Sequence, residues 1–488
     1  MGIFRTKSVE QSIQDAEGAG NRLERTLSAL DLTVFGLGVI LGTGIFTLTG
    51  LAARDYAGPS VALSFVVAAV VCGLAALCYA EFASTLPVAG SAYTFAYATI
   101  GEFPAWIIGW DLMLEMALGA AVVAVGWSGY FTSVMESLGV TLPVVGVGGW
   151  TFNYLAVIVV LLLTWLLVGG IKMSARFNLV MVVLKVAVIL LVIFAGLFFV
   201  NGANYTPFVP PAKATEGVSG LAAPLIQVLF GVTPTVYGTA GVFAAAAVVF
   251  FAYIGFDVVA TAAEETRHPQ RDLPIGIIAS LALCALLYVA VSMVVVGMLP
   301  FHQLSESAPL ADAFKAVGQP WLAGLISIGG ISGMTTVILI LMLGQSRVFF
   351  AMSRDGLLPK GLAAVHPLRR TPYKITIIIG VVTAALAGFI PLSTLAEMVN
   401  IGTLFAFVVV AVGVVVLRRT RPDLPRSFRA PLVPWLPALA VLACVYLMLN
   451  LAVETWLRFV VWMALGVVVY RLYSARHSRV ALSRRSRS

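Results

Sequence analysis

Charge is what this 488-residue chain has least of. Asp, Glu, Lys and Arg make up only 11% of it, against about 25% in a soluble domain, which excludes an ordinary water-soluble globular protein. Cysteine is scarce too: Cys72, Cys78, Cys284 and Cys444 all fall in apolar runs without metal-ligand spacing, which excludes a disulfide framework and leaves small packing residues. Histidine is limited to His268, His302, His366 and His477, all between apolar runs or in the tail. No Ser/His/Asp grouping and no His–carboxylate cluster emerges. No catalytic residue, metal or resident cofactor is therefore expected, and the chain does not read as an enzyme. Long polar tracts are also missing. The longest are the N-terminal stretch 1–27 and the segment 201–238, so no attached soluble domain is expected. The N-terminus opens polar and its first apolar run is too long for a signal h-region, so no cleavable signal is expected.

What is abundant is apolar sequence: 60% of residues are hydrophobic. Runs of about 20 residues, each able to cross a ~30 Å hydrocarbon core, recur at 28–53, 60–83, 104–133, 151–170, 174–200, 239–264, 274–299, 321–352, 394–417, 433–451 and 455–473, with a shorter one at 374–390. These twelve, numbered spans 1–12 in chain order, predict an all-α polytopic membrane protein. The net charge of +8 does not point to nucleic acid, because its distribution is that of a membrane protein. Arg5, Lys7, Arg22, Arg25, Lys172, Arg176, Arg267 and Arg271, the stretches Arg354–Lys374 and Arg418–Arg429, and the tail after Arg471 fall on one set of connections. The alternate set holds almost only Arg54, Lys213 and Lys315. Positive charge marks the cytoplasmic side, so both termini are expected there. The basic tail 474–488 is free to touch anionic lipid.

Two spans carry weak points. Span 1 contains "VILGTGIFTLTG" (39–50) and span 6 contains "FFAYIGFDVVATAAEE" (250–265). Glycine loosens a helix, and a loosened backbone in lipid leaves amides without water. Gly38 and Gly42 also form a G-x-x-x-G, a close-packing motif in membranes, so packing and interruption are both open readings of the glycines. Spans 1 and 6 start on opposite sides and run in opposite directions. Inverted-repeat transporters place discontinuous helices at matching positions of two halves and bind substrate at the breaks. The halves here would be spans 1–5 (28–200) and 6–10 (239–417), joined by 201–238, with spans 11 and 12 (418–473) appended. A break at Gly42–Gly44 would expose the amides of Thr43, Gly44 and Ile45 at the positive end of a helix dipole, suited to a carboxylate. A break at Phe251–Gly255 would free the carbonyls of Phe251, Ala252 and Ile254 for an ammonium. An amino acid carries both groups.

The motifs "GLGVILGTGIF" (36–46), "YAEFASTLPVAGSAYTFAYATIGEFPAWIIGWDLMLE" (79–115), "FFAYIGFDVVATAAEETRHPQRDLPIGI" (250–277) and "GQSRVFFAMSRDGLLP" (344–359) resemble the amino acid–polyamine–organocation transporters, and among them the bacterial cationic amino acid transporter branch. The resemblance covers residues 25–475. It implies a LeuT-type five-plus-five inverted repeat with discontinuous spans 1 and 6, secondary active transport and alternating access. It also implies substrate-backbone contacts from Thr43, Gly44, Phe251, Ala252 and Ile254, with Ile40 beside them.

Intramembrane charges are costly and usually functional. Lys185 in "MVVLKVAVILL" lies about 12 residues, or ~18 Å, into span 5, close to the midplane. A structural ion pair is one reading. A proton site is the other, since desolvation disfavours a buried ammonium. The resemblance supports the second, because its proton-coupled members hold a span 5 lysine against span 1 carbonyls where sodium-driven relatives hold a cation. Asp111 and Glu115 lie four apart on one face of span 3. Asp111 reads as a structural partner, and Glu115 as a hydrogen-bond acceptor supporting the pocket or as a direct participant. Asp257 reads as structural, and Glu264, Glu265, Arg267 and Arg271 as a solvated salt-bridge cluster. Met334 in "GGISGMTTVILI" of span 8 is either ordinary packing or, by resemblance, the side-chain end of the pocket. There it would shorten the pocket and favour small, neutral, alanine-like substrates. The expected activity is proton-coupled symport of L-amino acids into the cell across its plasma membrane, with cationic amino acid transport and exchange as alternatives. The expected partners are an amino acid and membrane lipid, with the proton as coupling ion.

Overall fold

The computed structural model describes residues 26–86, 91–147, 150–170, 175–215, 220–231, 233–363 and 372–478. The N-terminal residues Arg5, Lys7, Arg22 and Arg25, together with Lys172, His366 and the tail beyond Ser478, lie outside these ranges.

The chain is a helical, polytopic membrane protein. Span 1 begins as Ala29–Ile40 and resumes at Gly44–Ala57. Its start is set by a capping box: the Ser28 hydroxyl accepts from the Asp31 N–H, and the Asp31 carboxylate accepts from the Ser28 N–H at 2.9 Å. Span 2 is Val61–Thr85, span 3 Glu102–Ser137, span 4 Tyr154–Val168 and span 5 Ala175–Gly196. Span 6 runs Gly238–Val249, tightens to 3₁₀ turns at Phe250–Tyr253 and resumes at Asp257–Glu265. Spans 7–12 are Pro269–Met298, Pro320–Arg354, Tyr373–Phe389, Leu392–Thr420, Trp435–Leu449 and Val453–Val469. Each agrees with its expected run to within a few residues. Three short helices between the spans were not anticipated among the described residues: Ser91–Thr99 before span 3, Leu225–Phe230 between spans 5 and 6, and Pro309–Ala316 between spans 7 and 8. A two-stranded antiparallel hairpin, β1 (Val145–Val147) with β2 (Trp150–Phe152), caps the link between spans 3 and 4.

Spans 3 and 8 pack along each other, and span 7 packs along spans 1 and 2. Small residues make these approaches close. A Cβ on Gly36 would sit 2.5 Å from Ser280 Oγ, and one on Gly276 2.7 Å from Leu32 Cβ. Large apolar side chains such as Trp165, Phe198, Leu286, Trp435 and Leu472 point outward, as a lipid-facing surface requires.

Both described ends lie on one face. The N–H groups of Thr26 and Leu27 donate to Glu265 O at the end of span 6, and Arg267 N–H donates to Leu27 O at 2.9 Å. The Glu265–Arg267 stretch therefore works through its backbone as a clasp on the entry to span 1, and the Glu264 side chain lies outside the described residues. At the other end of the chain, Tyr470 and Ser478 donate to the buried Glu102 carboxylate at 3.0 and 2.5 Å.

Candidate functional site

Span 1 stops at Ile40 because the chain leaves helical geometry at Leu41 (φ −73°, ψ 86°). Span 6 stops at Ile254, whose ψ is 135°, and turns at Gly255, whose φ of +120° is open to glycine alone without strain. The two interruptions abut. A Cβ added to Gly44 would land inside the backbone of Ala252, so glycine at 44 is what lets the broken segments meet.

Interruption strands backbone groups, and their partners are identifiable. The last carbonyls of a helix have no intrahelical donor. Leu37 O receives the N–H of Leu41. Gly38 O receives Lys185 Nζ at 2.6 Å. Lys185 is fully buried, and its stem lies over span 8, where a Cβ on Gly333 would sit 3.0 Å from Lys185 Cε. The ammonium therefore stands at the negative end of the first half of span 1. Ile40 O lies 2.7 Å from Tyr288 Oη, and Ala252 O lies 2.9 Å from the same hydroxyl. One span 7 tyrosine thus serves both interruptions. In the second half of span 1, Tyr130 of span 3 donates to Phe46 O at 2.5 Å. On span 6, Phe251 O accepts the N–H of Ile254 at 3.1 Å. Two of the three span 6 carbonyls expected to be free therefore have donors, each with a second lone pair remaining.

A cavity opens beside the interruptions. Ile40, Thr43 and Gly44 line it from span 1, Phe251, Ile254 and Asp257 from span 6, Glu115, Gly119 and Val123 from span 3, and Val337 and Leu341 from span 8. Apolar walls with few polar groups fit a small-molecule site. Thr43 Oγ1 and Glu115 Oε2 are buried without a hydrogen-bond partner among the described residues, so the cavity holds polar capacity for a ligand. Of the expected site residues, Ile40, Thr43, Gly44, Glu115, Phe251 and Ile254 line it. Ala252 supports it from behind Gly44, and Lys185 acts on the carbonyl of Gly38. Met334 is fully buried and not on its wall. Its methyl lies near Gly330, where an added Cβ would also meet the Phe46 and Tyr130 rings, and Val337 and Leu341 are the span 8 residues that line the cavity.

The amino acid permease family profile matches residues 27–470 of the chain. The chain belongs to the amino acid permease family. This permease is 48% identical over 487 residues to the branched-chain amino acid permease BcaP of Bacillus subtilis, covering 98% of this chain and 99% of the relative. It is 45% identical to the methylthioribose transporter of the same organism, with 98% of each chain covered. It is 37% identical to human cationic amino acid transporter 4, covering 87% of this chain and 64% of that one. Sequence reading of the permease missed Tyr288, Gly119, Val337 and Leu341. Each sits in an uninterrupted apolar run, where nothing in the sequence separates a cavity wall from a lipid-facing or packed position.

Proposed function

We propose that this permease imports neutral L-amino acids with aliphatic side chains by proton-coupled symport and alternating access, across a plasma membrane with both termini cytoplasmic. The observation that carries this reading is the meeting of two interrupted helices, Gly44 against Ala252, beside an apolar cavity. The amides of Thr43 and Gly44 take the substrate carboxylate. The carbonyls of Phe251, Ala252 and Ile254 take the ammonium, and Ile40 covers the substrate backbone. Val337 and Leu341 bound the side chain, a role first expected of Met334. They are aliphatic and offer nothing to a guanidinium. Lys185 is the coupling site. Protonated, it holds the first half of span 1 through Gly38, and deprotonation releases that hold. The scaffold is the five-plus-five inverted repeat, and Arg and Lys on one set of connections orient it. The names of the bacterial relatives, an amino acid permease among them, agree with a neutral solute.

One observation favours a second reading. Glu115 and Asp257 both line the cavity, and among the described residues no Lys or Arg does. Two carboxylates facing a ligand suit a cationic amino acid, and relatives named as cationic amino acid transporters share the family. Uptake of radiolabelled alanine, isoleucine and lysine into proteoliposomes separates the readings. Under an imposed inward proton gradient without sodium, neutral substrates should accumulate and lysine should not. Accumulation of lysine alone selects the second reading, and a sodium requirement removes proton coupling.

A further inference from the structure

Span 3 contains four glycines, and one has no packing reason to be there. A Cβ would sit 2.7 Å from Met352 Sδ at Gly109, 2.6 Å from Thr43 Cγ2 at Gly126 and 2.8 Å from Ser307 O at Gly129. Those three allow neighbouring elements to approach. At Gly119 a Cβ would meet Leu341 Cδ1 at 3.5 Å, an ordinary contact, and among the described residues nothing else outside its own helix lies within 4 Å. Gly119 is not among the positive-φ residues, lies within the helix Glu102–Ser137 and lines the cavity. Glycine weakens a helix interior relative to alanine, and here neither close packing nor backbone shape accounts for it. What the missing side chain leaves is cavity volume. The interruptions of spans 1 and 6 and the residues Gly119 and Leu341 of spans 3 and 8 line the same cavity. A substrate whose carboxylate and ammonium sit at the interruptions shares this cavity with Gly119 and Leu341, and its side chain takes up the apolar part of the lining that they supply.

We infer that Gly119, with Leu341 beside it, sets the upper size limit of the substrate side chain and reserves room for a branched aliphatic group. This rests on the reading of the cavity as an amino acid site. The step from no side chain to a methyl narrows the gap on the side where the substrate branches, and one methylene in an apolar pocket is worth 10- to 200-fold in discrimination.

The test is proteoliposome uptake of alanine, valine, isoleucine, phenylalanine and lysine by wild type, Gly119→Ala and Leu341→Ala. Gly119→Ala should lower the isoleucine-to-alanine uptake ratio at least tenfold, and Leu341→Ala should raise the phenylalanine-to-alanine ratio. The inference is overturned if Gly119→Ala keeps the wild-type isoleucine-to-alanine ratio. If Gly119→Ala does not reach the membrane, an unchanged phenylalanine-to-alanine ratio in Leu341→Ala overturns it alone. Wild-type uptake of lysine without neutral substrates defeats the neutral reading instead, and the change in the phenylalanine-to-lysine ratio in Leu341→Ala still reads the size limit.

Discussion

At the residue scale, the site depends on single donors placed against backbone carbonyls that have lost their helical partners. Lys185 fills this role for Gly38 at 2.6 Å, and nothing nearby in sequence substitutes for it. If its protonation couples transport, Lys185→Ala should abolish accumulation driven by a pH gradient while exchange of preloaded substrate continues. Concentrative uptake by that variant would exclude Lys185 from coupling. Tyr288 is the parallel case, with one hydroxyl near both Ile40 O and Ala252 O. Tyr288→Phe leaves the ring packing and removes the donor. An unsatisfied buried carbonyl costs about 1–3 kcal/mol, so the half-saturation concentration for substrate should rise about tenfold with little loss of protein from the membrane. An unchanged value would mean that both carbonyls are satisfied without the hydroxyl.

At the scale of the helical element, the decisive feature is where a helix is allowed to stop. Two glycines do different work in equally apolar surroundings. Gly44 has the backbone of Ala252 where its Cβ would be, and Gly73 in span 2 has open space. Gly44→Ala should therefore separate the interruptions and abolish substrate binding, measured by ligand-induced thermal stabilisation of the detergent-solubilised protein. Gly73→Ala should leave binding intact and strengthen span 2 by up to about 1 kcal/mol. The ends of the spans were legible in the sequence because hydrophobic length and polar interruption set them. The capping box of Ser28 and Asp31, seen in the structure, fixes the start of span 1. The stop at Leu41 was legible only as glycine content, which packing explains equally well. The break is decided by the approach of Ala252 from another helix.

For the whole molecule, the two faces are fastened by different chemistry. On the face away from the termini, the segment around Pro309–Ala316 closes over the second half of span 1. Pro309 and Ser305 crowd Gly50, Arg54 pairs with Glu306, and Lys315 donates to Ser133 of span 3 at 2.8 Å. On the terminus face the fastening is a buried carboxylate, Glu81 of span 2. It receives Arg418 Nε and Nη2 at 2.8 and 2.6 Å and the Ala430 N–H at 2.8 Å, with Arg426 Nε 3.5 Å away. Hydrogen bonds to charged groups contribute about 1.5–3 kcal/mol each. Glu81→Gln should lower the melting temperature in detergent by several degrees and loosen the loop after span 10, seen as faster proteolysis near Arg421. An unchanged melting temperature would show that the loop is held by its other contacts.

The sequence by itself determined the class of molecule, the limits of its apolar helices and the two spans able to break. These follow from local quantities: hydrophobic length, glycine placement and the cost of charge in lipid. Only the tertiary structure decided which groups face one another. It brought Gly44 onto Ala252, set Tyr288 between two carbonyls, and lined one cavity with Glu115 and Asp257 together with Val337 and Leu341 of span 8. In a helix buried on every side, hydrophobicity is uniform around the axis. The sequence then carries no signal for which face meets a ligand, and that choice belongs to the packing of helices distant in the chain.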